Sequence, residues 1–417
     1  MTSVQTGKKI LLSAYACSPI RGSEPGNGWN WSVRLAASGY QVWCFTNVED
    51  KDEILAAAAK LALPNLHFVF VPLSYGLDKR LLDTSSKKIY FHYLLWQKKA
   101  GKVALRYHKD IAFDIAHHVT FGSLQQGGFI WKIPGAKKVF GPVGGGQHAP
   151  ELFKPYFGKW WRTEKMRTMI SNAGLKFSSN FKNTMLKCDY VLVTNEDTQE
   201  MALSVKGIDR KKVFFVPDTA VPQLMEQNDF IERPAEKPLK LLWVGRLLPR
   251  KGLNLVLNAL KYVPAHVDYT LTIVGGGECF PLTDGWIADY GIDRNRLNIL
   301  GQIPFAQVIE EYRKADVFIF CSMRDSFGAQ LTEAMAYGLP VITLNIHGVV
   351  KGVPDNCGIK ITPHTIEQTL KDIAAAIATM HDDTGMWQQY SENAFNFSKQ
   401  NTWENRIEEV AKNFYEQ

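Results

Sequence analysis

A chain of 417 residues, 46% hydrophobic and 21% charged, is too long for one ordinary core and too apolar to be disordered or fibrous, so two globular domains are expected. The formal charge of +7 is uneven: residues 1–225 hold 30 Lys or Arg against 17 Asp or Glu, leaving the second half acidic. No run of about 18 or more apolar residues occurs to span a bilayer.

Along the chain, short apolar runs alternate with longer segments of helical period, the pattern of parallel sheets covered by helices and hence of an α/β fold. Lys8 and Lys9 precede a short apolar run interrupted by Ser13 and Tyr15, which reads as a first strand rather than a signal peptide. Strands are expected at Ile10–Ala16, Gln41–Thr46, Leu66–Pro72, Ile111–Val119, Lys138–Val143, Tyr190–Thr194 and Val213–Pro217. A polar stretch with Asn228, Asp229, Glu232, Pro234, Glu236, Lys237 and Pro238 then reads as a linker. Alternation resumes with Leu239–Val244, Tyr269–Val274, Leu297–Leu300, Val317–Cys321 and Val341–Leu344. The tail from about Ile366 is helical, and its last segment carries an apolar stripe of Trp403, Ile407, Val410, Ala411 and Phe414. The expected domains are 1–225, a linker 226–238, 239–390, and C-terminal helices 391–417 that return to the N-terminal domain. Six isolated cysteines read as small buried side chains in a reducing, cytoplasmic setting.

Several segments carry chemistry. After the first strand, a loop with Gly22, Gly26 and Gly28 leads into a helix expected to begin near Trp29, and its glycines permit close backbone approach to a ligand. His117 and His118 end the fourth strand; period two sends them to opposite faces, so at most one reaches a site. Gly144, Gly145 and Gln147 follow the fifth strand as a candidate acceptor wall, while Asn195 reads as a helix cap. In the second half, Gly245-Arg246 and Arg250-Lys251-Gly252 put cations just after the first strand, at the carboxyl edge where α/β sheets bind ligands. The stretch from Arg324 to Ile342 has small residues, then a helix, then Gly338 and Pro340 before a strand. Its helix N-terminus suits an anion such as a diphosphate, and Asp325 and Glu333, eight apart, can reach different parts of one ligand.

These second-half residues, with Ile273-Val274-Gly275-Gly276-Gly277, Leu300-Gly301 and Ala315-Asp316-Val317, closely resemble glycosyltransferase family 4, retaining enzymes with the GT-B fold of two Rossmann-like domains facing a cleft. That family carries two glutamates separated by seven residues; here the first position is Asp325 and the second Glu333. The resemblance implies that Arg246 and Lys251 bind the donor diphosphate, Glu333 the ribose and Asp325 the transferred sugar. It further implies that amides around Ser326, Phe327, Gly328, Ala329 and Leu331 hold sugar and phosphate oxygens, and that Gly276, Gln302 and Ile303 line the base pocket. The loop of Gly22, Gly26 and Gly28 resembles one that many GT-B enzymes close over the donor diphosphate. The family carries a histidine at the end of the fourth strand, and His118, nearer the strand end, is the expected one. Transfer without an obligatory metal or other cofactor is implied, from a nucleotide sugar, with UDP favoured and GDP allowed, to a glycan or lipid-linked hydroxyl, as in polysaccharide synthesis. No nucleic acid partner is expected.

Two segments, residues 79–109 and 151–187, set basic side chains among aromatics, which suits an anionic membrane surface under the N-terminal domain. The rival readings are a non-hydrolysing sugar-nucleotide epimerase, which would need no acceptor, and an inactive sugar-nucleotide-binding subunit, which would not turn over.

Overall fold

The computed structural model describes residues 7–416 except 75, 83–87, 223–224, 226–228 and 235–237. It divides into two compact units. The first comprises Met1–Gly146, Met169–Thr219 and Trp403–Gln417; the second comprises Gln147–Thr168 and Ala220–Thr402.

The first unit is built on seven strands: β1 (Lys9–Ala14), β2 (Gln41–Thr46), β3 (Leu66–Phe70), β4 (Ile115–Thr120), β5 (Lys137–Val143), β6 (Tyr190–Val193) and β7 (Val213–Phe215). They pair in the order β3-β2-β1-β4-β5-β6-β7, every pairing parallel. Strands such as β1 and β4 are buried nearly throughout, polar Ser13, His117, His118 and Thr120 included, because helices cover both faces of a parallel sheet. The core of one face gathers Leu11, Phe45, Trp96, Phe129 and Phe140.

The second unit carries β8 (Leu239–Val244), β9 (Tyr269–Val274), β10 (Leu297–Gly301), β11 (Val317–Phe320), β12 (Val341–Leu344) and β13 (Gly358–Ile361). Their order, β10-β9-β8-β11-β12-β13, is again all parallel. Each sheet therefore reverses its winding between its first and fourth strands, at β1/β4 and at β8/β11. Rossmann-like sheets bind ligands outside the carboxyl ends of the strands at that reversal.

Five features differ from the sequence expectation. The short β13 was not expected, because Gly358 and Lys360 leave only Ile359 and Ile361 as apolar signal. The first helix spans Ser23–Ala37 rather than beginning near Trp29, since Pro25 lies in its first turn, where the missing N–H costs nothing. Residues 147–168 fold with the second unit: Phe153, Tyr156, Phe157 and Trp161 enter its core, and Asn258 Nδ2 donates to Tyr156 Oη at 2.7 Å. Those aromatics of the second basic segment are thus core anchors and not interfacial side chains. The C-terminal return begins at Trp403, because helix Thr384–Gln400 stays on the second unit, with Trp387 Nε1 donating to the Asp316 carbonyl at 3.1 Å and Ser391 Oγ to that of Gly338 at 2.6 Å. Finally, the described part of the expected linker is anchored, since Arg233 donates to the Tyr337 carbonyl at 2.8 Å; Asn228, Glu236 and Lys237 lie outside the described residues.

Candidate active site

The site in the second unit grows from two loops at the β8/β11 reversal. The loop after β8 runs to Gly252, whose φ of +74° suits glycine and whose Cα lies so close to the Cys321 carbonyl that a Cβ would overlap it. This contact draws the β8 loop onto the β11 loop. Lys251, 7% exposed, then donates to Asp325 and forms an ion pair with it. Arg250 Nη1 lies 3.4 Å from Asp325 Oδ2 and donates to the Arg324 carbonyl at 3.1 Å, while Ser322 Oγ donates to the Arg250 carbonyl at 3.0 Å.

Electrostatics follow from this packing. Burial would raise the Asp325 carboxyl, but the charges of Lys251 and Arg250 and the hydrogen bond from Lys251 hold it far below the carboxylate range. Burial pulls the Lys251 ammonium down, opposed by Asp325. Arg246 projects into solvent with no side-chain partner among the described residues.

Beyond the β11 loop, Gly328 takes φ +113° and packs on the Phe320 ring, where a Cβ would not fit. Helix Ala329–Ala336 begins next, with Ser326, Phe327 and Gly328 at its entrance and Leu331 buried. The Leu331 N–H is taken by the Gly328 carbonyl at 3.0 Å, but no side chain caps the helix, so this end presents its remaining donors and a positive dipole. Glu333 accepts from Tyr312 Oη at 2.8 Å; burial raises its carboxyl, against that hydrogen bond and the Lys251 charge. After β9, the Gly275 N–H donates to the Gly301 carbonyl at 2.7 Å, and Gly276 faces the Gln302 side chain. Gln302 is exposed and Ile303 is half-buried against the second-unit core. The structure thus gathers Arg246, Lys251, Asp325 and Glu333 around one reversal, with the 276 and 302 loops on the neighbouring strands.

Two contributions were invisible in the sequence. Gln147 Nε2 donates to Ser326 Oγ at 3.1 Å, and Glu164 forms an ion pair with Arg324 at 2.5 Å, both from the segment that crosses to this unit. Burial pushes the Arg324 guanidinium down to about 10. Nothing in local spacing links residues so far apart in sequence.

In the first unit, His118 is a core histidine and not a group at a ligand edge. It is fully buried, its Nδ1 pairs with Ser13 Oγ and its Nε2 with the Phe121 carbonyl, both at 3.1 Å, and it stacks on Phe140. His117 turns to the opposite face, as period two requires, where Tyr415 Oη and the Gly141 carbonyl engage its two nitrogens. Burial pulls His118 down to about 4 and His117 to about 3, so both are neutral at pH 7. The catalytic role expected for His118 is withdrawn. Gly28 and Gly26 are glycines because Cβ atoms there would overlap the Ala16 and Arg21 carbonyls, whereas Gly22 is open to solvent. Gly144 and Gly145 belong to the first unit: the Gly144 carbonyl accepts from Leu124 N–H at 2.9 Å, and that of Gly145 from Gln125 Nε2 at 2.5 Å. Gln147 stands on the second unit.

Among the described residues no group of three or more His, Cys, Asp or Glu could hold a metal ion. The β8 and β11 loops instead gather Arg246, Arg250, Lys251 and Arg324 against Asp325, Glu164 and Glu333, a balance suited to an anion.

Residues 225–397 match the family described as glycosyl transferases group 1. This match spans the β8 and β11 loops and the helix carrying Glu333. The phosphatidylinositol N-acetylglucosaminyltransferase GPI3 subunit of Saccharomyces cerevisiae is 21% identical over 198 residues, covering 46% of this chain and 43% of its own. The O-antigen chain mannosyltransferase B of Escherichia coli is 22% identical over 285 residues, 62% of this chain and 71% of its own. This chain therefore spans less than half the length of the first of these relatives. The crystal structure of Anabaena HepE in complex with UDP aligns over 99% of this chain and 100% of that one, with a TM-score of 0.65 at 15% identity. The architecture is the GT-B fold of two Rossmann-like domains.

Proposed function

We propose that the protein is a retaining glycosyltransferase that moves a sugar from a nucleoside diphosphate donor, UDP in preference to GDP, to a hydroxyl of a glycan or lipid-linked acceptor. The observation that carries this reading is the Lys251–Asp325 pair at the β8/β11 reversal, flanked by the unpaired Arg246 and followed by a helix N-terminus. The donor diphosphate replaces Asp325 as a partner of the cations, and Arg246, Lys251 and the helix amides stabilise charge as the nucleotide leaves. Asp325, freed from Lys251, accepts hydrogen bonds from sugar hydroxyls, and Glu333 takes the ribose. A structural relative, Anabaena HepE, is seen in complex with UDP, which favours a nucleotide sugar. With His118 in the core, the described residues offer no histidine base at the fourth strand, which favours same-face attack with the leaving phosphate accepting the acceptor proton. No metal or other cofactor is required in this scheme. Turnover of a panel of nucleotide sugars, with and without soluble glycoside acceptors, tests the proposal: transfer to the acceptor supports it, and a changed nucleotide sugar released without acceptor would favour an epimerase.

A second part of the reading concerns location. Helix Lys88–Ile111 buries Tyr93 and Trp96 but exposes Tyr90, Phe91 and Leu94, followed on its exposed side by Lys98, Lys102, Arg106 and Lys109. Apolar side chains beside a cationic row suit the cytoplasmic face of an anionic membrane, where a lipid-linked acceptor would lie. No helix among the described residues is long and apolar enough to cross a membrane.

A further inference from the structure

Within the second unit, the β8/β11 reversal is packed tightly on its β12 side. A Cβ on Gly348 would overlap the Ser326 carbonyl and one on Gly352 would overlap the Phe327 ring, so the loop after β12 lies directly on the helix entrance. On the other side, the loop after β9 is laced to the loop that carries Arg246. The Gly245 N–H donates to the Val274 carbonyl at 3.0 Å, the Leu247 N–H to that of Gly276 at 2.9 Å, and the Cys279 N–H to that of Leu247 at 2.9 Å. Gly275 and Gly277, at φ +134° and +147°, permit this approach, because a Cβ on either would meet the backbone of Gly245 or Leu247. The residue that follows this lacing is Phe280. Its ring is 41% exposed and lies beside the end of β10, where a Cβ on Gly301 would stand 3.7 Å from its Cε2 and Cζ. Leu282, on the same turn, and Phe305, which opens the helix Phe305–Lys314 after β10, are exposed too. Gln302, exposed and facing Gly276, adds a carboxamide to this apolar edge.

Distance and direction agree with one occupant. Neighbouring strands lie about 4.8 Å apart, so the end of β10 stands roughly 10 Å from that of β8, about the reach of a nucleoside beyond its phosphates. Glu333 leans the same way, since its partner Tyr312 belongs to the helix that follows β10. An exposed phenyl ring beside a carboxamide suits a flat ligand with apolar faces and a polar edge, which is the chemistry of a nucleobase. Resting on the glycosyl-transfer reading, we infer that Phe280 is the platform on which the nucleobase of the donor stacks. Every base has a π-face, so the platform adds affinity without choosing the base.

The test begins with calorimetric titration of UDP, GDP and ADP into the unaltered protein, which finds the nucleotide held most tightly. That nucleotide is then titrated into Phe280→Ala, Phe280→Leu and Phe280→Trp, with folding checked by thermal melting. Phe280→Ala and Phe280→Leu should weaken binding about 10- to 100-fold, Leu failing because it is apolar without a π-face. Phe280→Trp should keep the original affinity, and the nucleotide should quench its added indole beyond any change that the unaltered protein shows. Full affinity in folded Phe280→Ala or Phe280→Leu would overturn the inference, as would equal losses in all three variants. Failure of the unaltered protein to bind any of the three nucleotides would instead bring down the glycosyl-transfer reading itself.

Discussion

Asp325→Asn should destabilise the second unit more than Lys251→Met does. Lys251 is almost fully buried, and its other close neighbour is the Phe320 ring, with Nζ 5.3 Å from the ring centre. Removing Asp325 leaves that ammonium without a carboxylate, and breaking a buried pair by removing one partner costs about 3–5 kcal/mol. Removing Lys251 is milder, because Asp325 keeps Arg250 at 3.4 Å and Ser322 Oγ at 3.4 Å. In Asp325→Asn the cost is limited by deprotonation of Lys251, whose proton affinity burial already lowers. The sign follows: with a folded pKa below the unfolded one, the unfolded state binds more protons over that interval, so the variant gains stability as pH rises from neutrality. For a unit of this size, about 3–5 kcal/mol corresponds to a fall in melting temperature of roughly 6–20 °C. Scanning calorimetry of both single variants and the double variant at pH 7 and pH 9 measures this. Equal losses for the two single variants, or a double variant no more stable than Asp325→Asn, would refute the assignment of Lys251 and Asp325 as a coupled buried pair.

Arg246→Ala should lower turnover about 10²–10³-fold with no change in melting temperature, because this side chain has no partner in the described structure and its proposed role is confined to the leaving group; steady-state kinetics beside a thermal melt checks both halves. Glu333→Gln should weaken free UDP and intact donor alike, whereas the Asp325→Asn loss should fall on the intact donor, a difference that calorimetry with UDP and a UDP-sugar resolves. His118→Asn should leave the pH profile of turnover unchanged but reduce the acid sensitivity of folding. The folded pKa of about 4 lies below the unfolded value, so His118 makes the protein lose stability as pH falls from about 6.5 towards 4, by about 3 kcal/mol in all. Replacing Lys98, Lys102, Arg106 and Lys109 with Gln should weaken sedimentation with phosphatidylserine vesicles at low salt and leave hydrolysis of soluble donor intact; equal sedimentation of the original protein with neutral vesicles would dismiss the membrane face.

Much of the fold is legible in the sequence because parallel strands buried on both faces are written as unbroken apolar runs. Val317–Phe320, apolar throughout, and Val341–Leu344, broken only by Thr343, stand out for that reason, whereas Gly358–Ile361 has two apolar residues and is lost among turns. The second-unit loops are legible for a different reason: Arg246, Lys251, Asp325 and Glu333 lie within or beside local motifs whose spacing is set by single strand-to-helix turns. Partnerships made across the fold left no local trace. Glu164 reaches Arg324 across 160 positions and Glu24 reaches Gly122 across 98, so neither could be paired by periodicity. His118 misled because a polar residue near a strand end looks the same whether it meets solvent or, as here, Ser13 and a backbone carbonyl. The aromatics at 153–161 misled likewise, since bulky rings beside lysines are consistent with a lipid surface and with a core covered by solvated cations.

The central claim is that the β8 and β11 loops hold a nucleoside diphosphate sugar whose sugar is transferred. Chromatographic identification of the nucleotide released from UDP-glucose, UDP-N-acetylglucosamine and GDP-mannose, by the original protein and by Lys251→Ala with Arg246→Ala, tests it most directly. The account predicts release of a nucleoside diphosphate from at least one donor, retention of the anomeric configuration in the sugar product, and loss of release in the folded double variant. Undiminished release by that folded double variant, or no release from any donor by the original protein, would contradict it.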